Sequence, residues 1–171
     1  MSIADVLSGA RRWHIETCRA EELEPRLPDG CVDLILTDPP FHKVKDLAWD
    51  REHKTAGGFL DWIGERFAAM RRILAPNGSL YVFASPAMAW GVEGKVREHF
   101  SLLARATWCK TLKHTPAHYK MRKESLRNYF PSSEAILFAE QKGNDATALG
   151  ESLYGARCDA LRGDVFVPLR A

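Results

Sequence analysis

Asp38-Pro39-Pro40-Phe41 sets an acid, two residues without a backbone N–H and an aromatic ring in immediate succession. A carboxylate oxygen of Asp38 and the carbonyl oxygen of Pro39 are two acceptors side by side. Together they can hold both hydrogens of an –NH2 group and draw its lone pair out of conjugation with an aromatic base. Phe41 supplies a flat apolar surface for such a base, a stacking contact worth ~1–3 kcal/mol. An amine held this way needs no strong general base if the acceptor is a sulfonium-bound methyl group, because the nitrogen attacks first and loses its proton afterwards. As a bare tripeptide Asp-Pro-Pro is an ordinary loop opener, so the chemical reading rests on what surrounds it.

The run Val32-Asp33-Leu34-Ile35-Leu36-Thr37 leads straight into the motif. It is almost continuously aliphatic, as a strand buried on both faces must be. Neither proline can continue a ladder, and each biases the residue before it toward an extended conformation. The strand therefore ends abruptly, with Asp38 and Phe41 on a stiff turn at its carboxyl end, where open α/β sheets bind their ligands.

Before this strand, Ile3 to Leu7 reads as the start of a short helix, Trp13 to Cys18 as a strand, and Glu21 to Leu27 as a short helix stopped by Pro28-Asp29-Gly30. After it, the polar stretch from His42 to Thr55, with Trp49 in its middle, predicts a mobile loop over the pocket. Phe59, Trp62, Ile63, Phe67, Met70, Ile73 and Leu74 recur at helical spacing and form a core-facing helix that Pro76-Asn77-Gly78 stops. Ser79 to Ala84 is a third strand. Ser85-Pro86 pairs an N-cap with proline at the first helical position, launching a helix to about Phe100. Leu102 to Trp108 and Glu134 to Ala139 complete the strands. This alternation, turning to strand-loop-strand at its end, predicts an α/β fold with a mostly parallel sheet and helices packed against it.

With 171 residues, 46% of them hydrophobic, the chain can bury one genuine core. No apolar run approaches the ~18 residues of a membrane span, and the opening Met1-Ser2-Ile3-Ala4-Asp5 lacks the layout of a secretory signal. A cytoplasmic address is expected. Cys18, Cys31, Cys109 and Cys158 are scattered and read as reduced, structural thiols. His114 and His118 are four apart, but Pro116 between them opposes a shared helix, and no metal site is expected. Net charge is only +2, yet from Arg105 to Arg127 seven basic residues face one acid, Glu124. Trp108, Tyr119, Tyr129 and Phe130 lie in or beside that stretch, a mixture suited to phosphates and unstacked bases.

Four segments together resemble the S-adenosylmethionine-dependent DNA amino-methyltransferases. They are Cys31 to Phe41, Arg71 to Val82, Trp108-Cys109-Lys110, and Tyr129 to Phe138. The likeness runs from about Trp13 to Ala139 and is strongest to adenine methylases carried by phages and prophages, with restriction-modification enzymes in the same class. It implies a partial Rossmann-like methyltransferase sheet, double-stranded DNA as partner and S-adenosylmethionine as cofactor. Asp rather than Ser at the first motif position favours adenine N6 over cytosine N4. By the same likeness Asp38 and Pro39 hold the target amine, Pro40 sets the turn, and Phe41 stacks on a flipped-out base, with Tyr129 or Phe130 closing the other side. Thr17, Cys18, Thr37 and Asp38 fall where the cofactor is bound. Lys110, Lys113, Lys120, Arg122, Lys123 and Arg127 are the DNA-binding cations.

The catalytic motif comes first in the chain, as in the family's β-type members. No glycine-rich cofactor loop follows, and Glu16-Thr17-Cys18 stands where family members carry an Asp for the cofactor's adenine. Residues 1–140 are therefore expected to be the catalytic-motif part of a methyltransferase domain, and 141–171 the truncated start of a linker or target-recognition region, with Gly143 to Ala171 helical or disordered in isolation. Dependence on a missing carboxyl-terminal cofactor-binding part is expected. A homodimer is compatible with the likeness, although no residue points to one. The competing readings are a catalytically silent nucleic-acid-binding remnant, a cytosine-N4 enzyme, and a methyltransferase acting on RNA or a free nucleotide.

Overall fold

The computed structural model describes residues 2–42, 51–110 and 133–141, with the backbone of 165–166. Helices α1 (Ile3–Leu7) and α2 (Ala20–Leu23), the latter continued by a 3-10 turn (Glu24–Arg26), precede strand β1 (Val32–Thr37). Helix α3 (Ala56–Ile73), strand β2 (Leu74–Ala84), helix α4 (Ala89–His99) and strands β3 (Phe100–Cys109), β4 (Ser133–Gln141) and β5 (Val165–Phe166) follow. The strands form one sheet in the order β3-β4-β2-β1-β5. β1 runs parallel to both β2 and β5, whereas β4 is antiparallel to both β2 and β3. Four strands thus point one way, and β4 is inserted against them. The partial Rossmann-like α/β layout read from the sequence is the one observed.

Side chains alternate along each strand, and the register fixes which of them share a face. Ile35 and Thr37 lie beside Leu80 and Val82, which lie beside Ala139 and Leu137. All six are buried. Phe59, Ile63, Phe67, Met70 and Ile73 of α3 and Ala89, Val92 and Val96 of α4 close over this face. Each fully buried large side chain contributes roughly 1.5–3 kcal/mol relative to exposure. Leu34, Leu36, Tyr81, Phe83, Ile136 and Phe138 occupy the opposite face and remain half-buried. There Tyr81 and Phe138 stack, with ring centroids 4.7 Å apart.

The structure corrects several expectations. Trp13 to Cys18 forms no strand: it is irregular, and Trp13 and Ile15 are exposed. Alternation without a neighbouring strand to pair with is not enough. Pro76-Asn77-Gly78 does not separate helix from strand. Leu74 already pairs with Val32 and Ser79 with Leu34, so the three residues form a bulge inside β2. Ser85-Pro86 opens a turn, closed by the Met88 N–H donating to the Ser85 carbonyl at 3.0 Å, and α4 starts only at Ala89. Val165–Phe166 pairs in parallel with Ile35 and Leu36, adding a strand where helix or disorder was expected.

Candidate active site

β1 delivers the motif to the carboxyl edge of the sheet. Asp38 is exposed there, while Pro39 and Pro40 are buried and Phe41 is half-buried. The segment has no regular structure between β1 and a bend at His42; its two proline rings are buried, and the acid is left at the surface. Carrying the alternation of β1 one residue on puts Asp38 on the side of Leu34 and Leu36, away from α3 and α4. Thr37 pairs with Val82, so Asp38 emerges level with Phe83 on the neighbouring strand. Asp38 also takes part in an interaction within the fold.

Past the motif the chain turns back through His42, which has a left-handed backbone conformation (φ 55°). Its ring stacks on Phe59 in the first turns of α3, centroids 5.5 Å apart. His53, beyond the undescribed segment 43–50, meets the same Phe59 edge-on at 5.9 Å and Trp62 at 5.0 Å. Both described ends of the polar stretch are thus fastened to α3. Most of the loop expected over the pocket, with Trp49, lies outside the described residues.

Three more strands contribute to this edge. Trp108 on β3 pairs with Glu134 on β4, and Phe83 on β2 pairs with Ile136, so Phe83, Glu134 and Trp108 share the face away from the helices. Phe83 and Trp108 meet edge to face, centroids 6.1 Å apart at 82°. Lys110 forms an ion pair with the nearly buried Glu134, and its Nζ lies 5.4 Å from the centre of the Trp108 ring. Phe83 and Glu134 were not singled out in the sequence; the only signal was the alternation that puts them on one face.

The remaining sequence candidates are placed as follows. Thr37 is completely buried on the helix-packed face, and its hydroxyl has no hydrogen-bond partner among the described residues. Thr17 is exposed and Cys18 half-buried in the irregular segment before α2. Burial, followed by the charge of Glu16, pushes the Cys18 thiol up, so it stays protonated. Glu16 pairs with Arg26 and His14, and the Arg26 contact holds its carboxyl below the usual range. Arg105 contacts Glu93 at 3.6 Å. Two cations of the basic stretch, Arg105 and Lys110, are therefore offset by acids that lie elsewhere in the sequence. Lys113, Lys120, Arg122, Lys123, Arg127, Tyr129 and Phe130 lie outside the described residues, as do His114, His118 and Cys158.

A cavity of about 410 Å3 lies between the α2 region and α3, lined by Glu21, Glu24, Pro25, Arg66, Ala69 and Arg72. None of these residues belongs to the motif edge. Among the described residues no helix is long and apolar enough to cross a membrane, and no three potential ligands gather to hold a metal ion.

The chain is 27% identical over 128 residues to the DNA adenine methyltransferase YhdJ of Escherichia coli K12, covering 70% of this chain and 44% of YhdJ. The crystal structure of TTHA0409 from Thermus thermophilus superposes with a TM-score of 0.54 at 21% identity, covering 73% of this chain and 51% of that one. The cytosine-N4-specific PvuII DNA methyltransferase gives a TM-score of 0.54 at 17% identity, with 72% and 47% covered. The structural matches establish a shared fold, and the chain spans about half the length of these proteins. A family profile described as DNA methylase (N6_N4_Mtase) matches residues 32–158, from the first residue of β1 to beyond β4. The chain belongs to the N6/N4 DNA methylase family.

Proposed function

We propose that this chain carries the amine-activating half of a DNA methyltransferase that acts on the N6 amino group of adenine. The observation carrying the proposal is the Asp38 to Phe41 segment, with an exposed acid followed by two buried prolines at the carboxyl end of a parallel strand. Asp38 and the Pro39 carbonyl accept the two amine hydrogens. The Phe41 ring, half-buried, has surface for the base and enough packing to hold its orientation.

The residues at this edge suit S-adenosylmethionine at its charged end. An exposed carboxylate beside apolar Leu36 and Phe83 is a favourable neighbour for a sulfonium cation. When bound, the cofactor supplies an electrophilic methyl group. Asp38 would face its methionine part, and Thr17 and Cys18 are the candidates to hold its adenosine part. The described residues contain no glycine-rich turn for the ribose, so the rest of the cofactor's grip is proposed to come from outside them. An adenine target accords with the acid at the first motif position and with the adenine methyltransferase YhdJ as a relative. Double-stranded DNA is the proposed partner, with the cations between Lys110 and Arg127 on its phosphates.

The test is transfer of a labelled methyl group to unmethylated double-stranded DNA, using this chain, the chain extended to the end of its reading frame, and Asp38→Ala in each. Nucleoside digests identify the product. N6-methyladenine that disappears with Asp38→Ala is the expected result, with a loss of at least about a hundredfold, in the range of removing a group that stabilises developing charge. N4-methylcytosine would move the target to cytosine. Equal activity in the Asp38→Ala variant would remove the motif from the chemistry.

A further inference from the structure

We infer that Trp108 and Lys110 form a second nucleotide-binding subsite, in which the indole stacks on a DNA base and the ammonium takes the adjoining phosphate. The inference rests on the methyltransferase reading only for its choice of DNA as ligand. Trp108 is 50% exposed although it sits in a regular strand between paired neighbours. An open ring of this size offers a flat apolar surface on which a base can stack. Its orientation is nonetheless fixed by the edge-to-face contact with Phe83, at 6.1 Å.

Lys110 adds the second half. Its ammonium lies 5.4 Å from the ring centre, near the outer limit of a cation–π contact. Ring surface therefore stays open beside it. Glu134, only 9% exposed, fixes the ammonium through an ion pair. An ammonium carries three donors and one carboxylate does not exhaust them. A flat aromatic surface with a fixed cation at its rim has the chemistry of a nucleotide site, base on the ring and phosphate on the cation.

The position favours a nucleotide next to the target rather than the target itself. Trp108 lies on β3, Asp38 follows β1, and β4 and β2 stand between them in the sheet. Neighbouring strands are about 4.8 Å apart, which puts the two sites roughly 14 Å apart across three spacings. Phe83 bridges the interval, level with Asp38 on one side and touching Trp108 on the other. Both sites face away from the helices. A strand of DNA with one base at Phe41 can therefore reach Trp108 with a nearby nucleotide.

The experiment is equilibrium binding of a fluorescent 12-nucleotide poly(dA) strand, across a salt series, to the wild-type chain, Trp108→Ala, Trp108→Phe, Lys110→Ala and Asp38→Ala. Trp108→Ala is expected to weaken binding about tenfold or more, the scale of one stacked base, and Trp108→Phe to restore most of it. Lys110→Ala is expected to reduce the salt slope by about 0.7, the value for one phosphate on a single strand. Circular dichroism separates loss of fold from loss of contact, and the Phe variant keeps the test decisive if Ala unfolds the edge. Trp108→Ala binding like wild type, or Lys110→Ala with an unchanged slope, overturns the inference. Failure of the methylation proposal looks different: Asp38→Ala then leaves methyl transfer unchanged whatever the Trp108 variants do.

Discussion

Arg66 places its guanidinium 2.9 Å from the Glu24 carboxylate, in a position where the two side chains are only 13% and 5% exposed. The pair joins the segment before β1 to α3 and works with Arg72, which donates to the Leu27 carbonyl at 2.8 Å and to Asp29 at 2.6 Å. Close pairing favours the charged carboxylate and burial opposes it. Burial prevails here, and among the described residues Glu24 Oε1 and Arg66 Nε have no partner.

The Glu24 carboxyl is pushed by this burial from 4.5 up to about 7, with Arg66 pulling against it. The folded chain then holds the proton more tightly than the unfolded one. The resulting stabilisation is complete below about pH 4.5 and fades as pH rises through about 7. Urea midpoints measured from pH 5 to 8 should fall with rising pH by an amount that Glu24→Gln removes. A pH slope identical in wild type and Glu24→Gln would assign the dependence to another group.

Thr37→Val should stabilise the fold by ~1 kcal/mol, because it replaces a fully buried hydroxyl, with no partner among the described residues, by a methyl of the same shape. Thermal unfolding gives the stability, and calorimetric titration with S-adenosylmethionine gives the affinity. Raised stability with unchanged affinity is the expected outcome. A tenfold loss of affinity would instead show the hydroxyl to be a cofactor contact.

At the β2 bulge, a Cβ added to Gly78 would lie 2.7 Å from Leu74 Cγ and Cδ1 and 3.0 Å from the Ala75 carbonyl. Leu74 is itself buried and has little room to withdraw. Gly78→Ala should therefore cost ~1–3 kcal/mol, the range for overpacking a filled site. A urea midpoint within error of wild type would mean that the bulge relaxes freely.

What the sequence disclosed follows the range of the forces involved. β1 and α3 were legible because each is written in consecutive residues: an aliphatic run and a helical period. Trp13 to Cys18 misled because strand formation requires a partner, and its Glu16 is occupied with Arg26. Ser85-Pro86 serves a turn as well as a helix start, and the difference lay in the packing of Ala89 and Val92 four and seven residues on. The Glu24–Arg66 and Lys110–Glu134 pairs span 42 and 24 residues. No local pattern announces contacts of that separation, and with them went the shape of the Trp108 edge. β5 was missed because a two-residue strand has no period to read.

The alternation of β1 makes it a ruler as well as a wall. Leu34 or Ile35 can be exchanged for another aliphatic residue and Asp38 still emerges on the same side of the sheet. One residue inserted or deleted between the Val32 and Thr37 pairings would turn the acid toward α3, with every hydrophobic contact behind it reversed. The chemistry of this edge therefore depends on a count of residues more strictly than on their kind, and length is the property of β1 that drift can least alter.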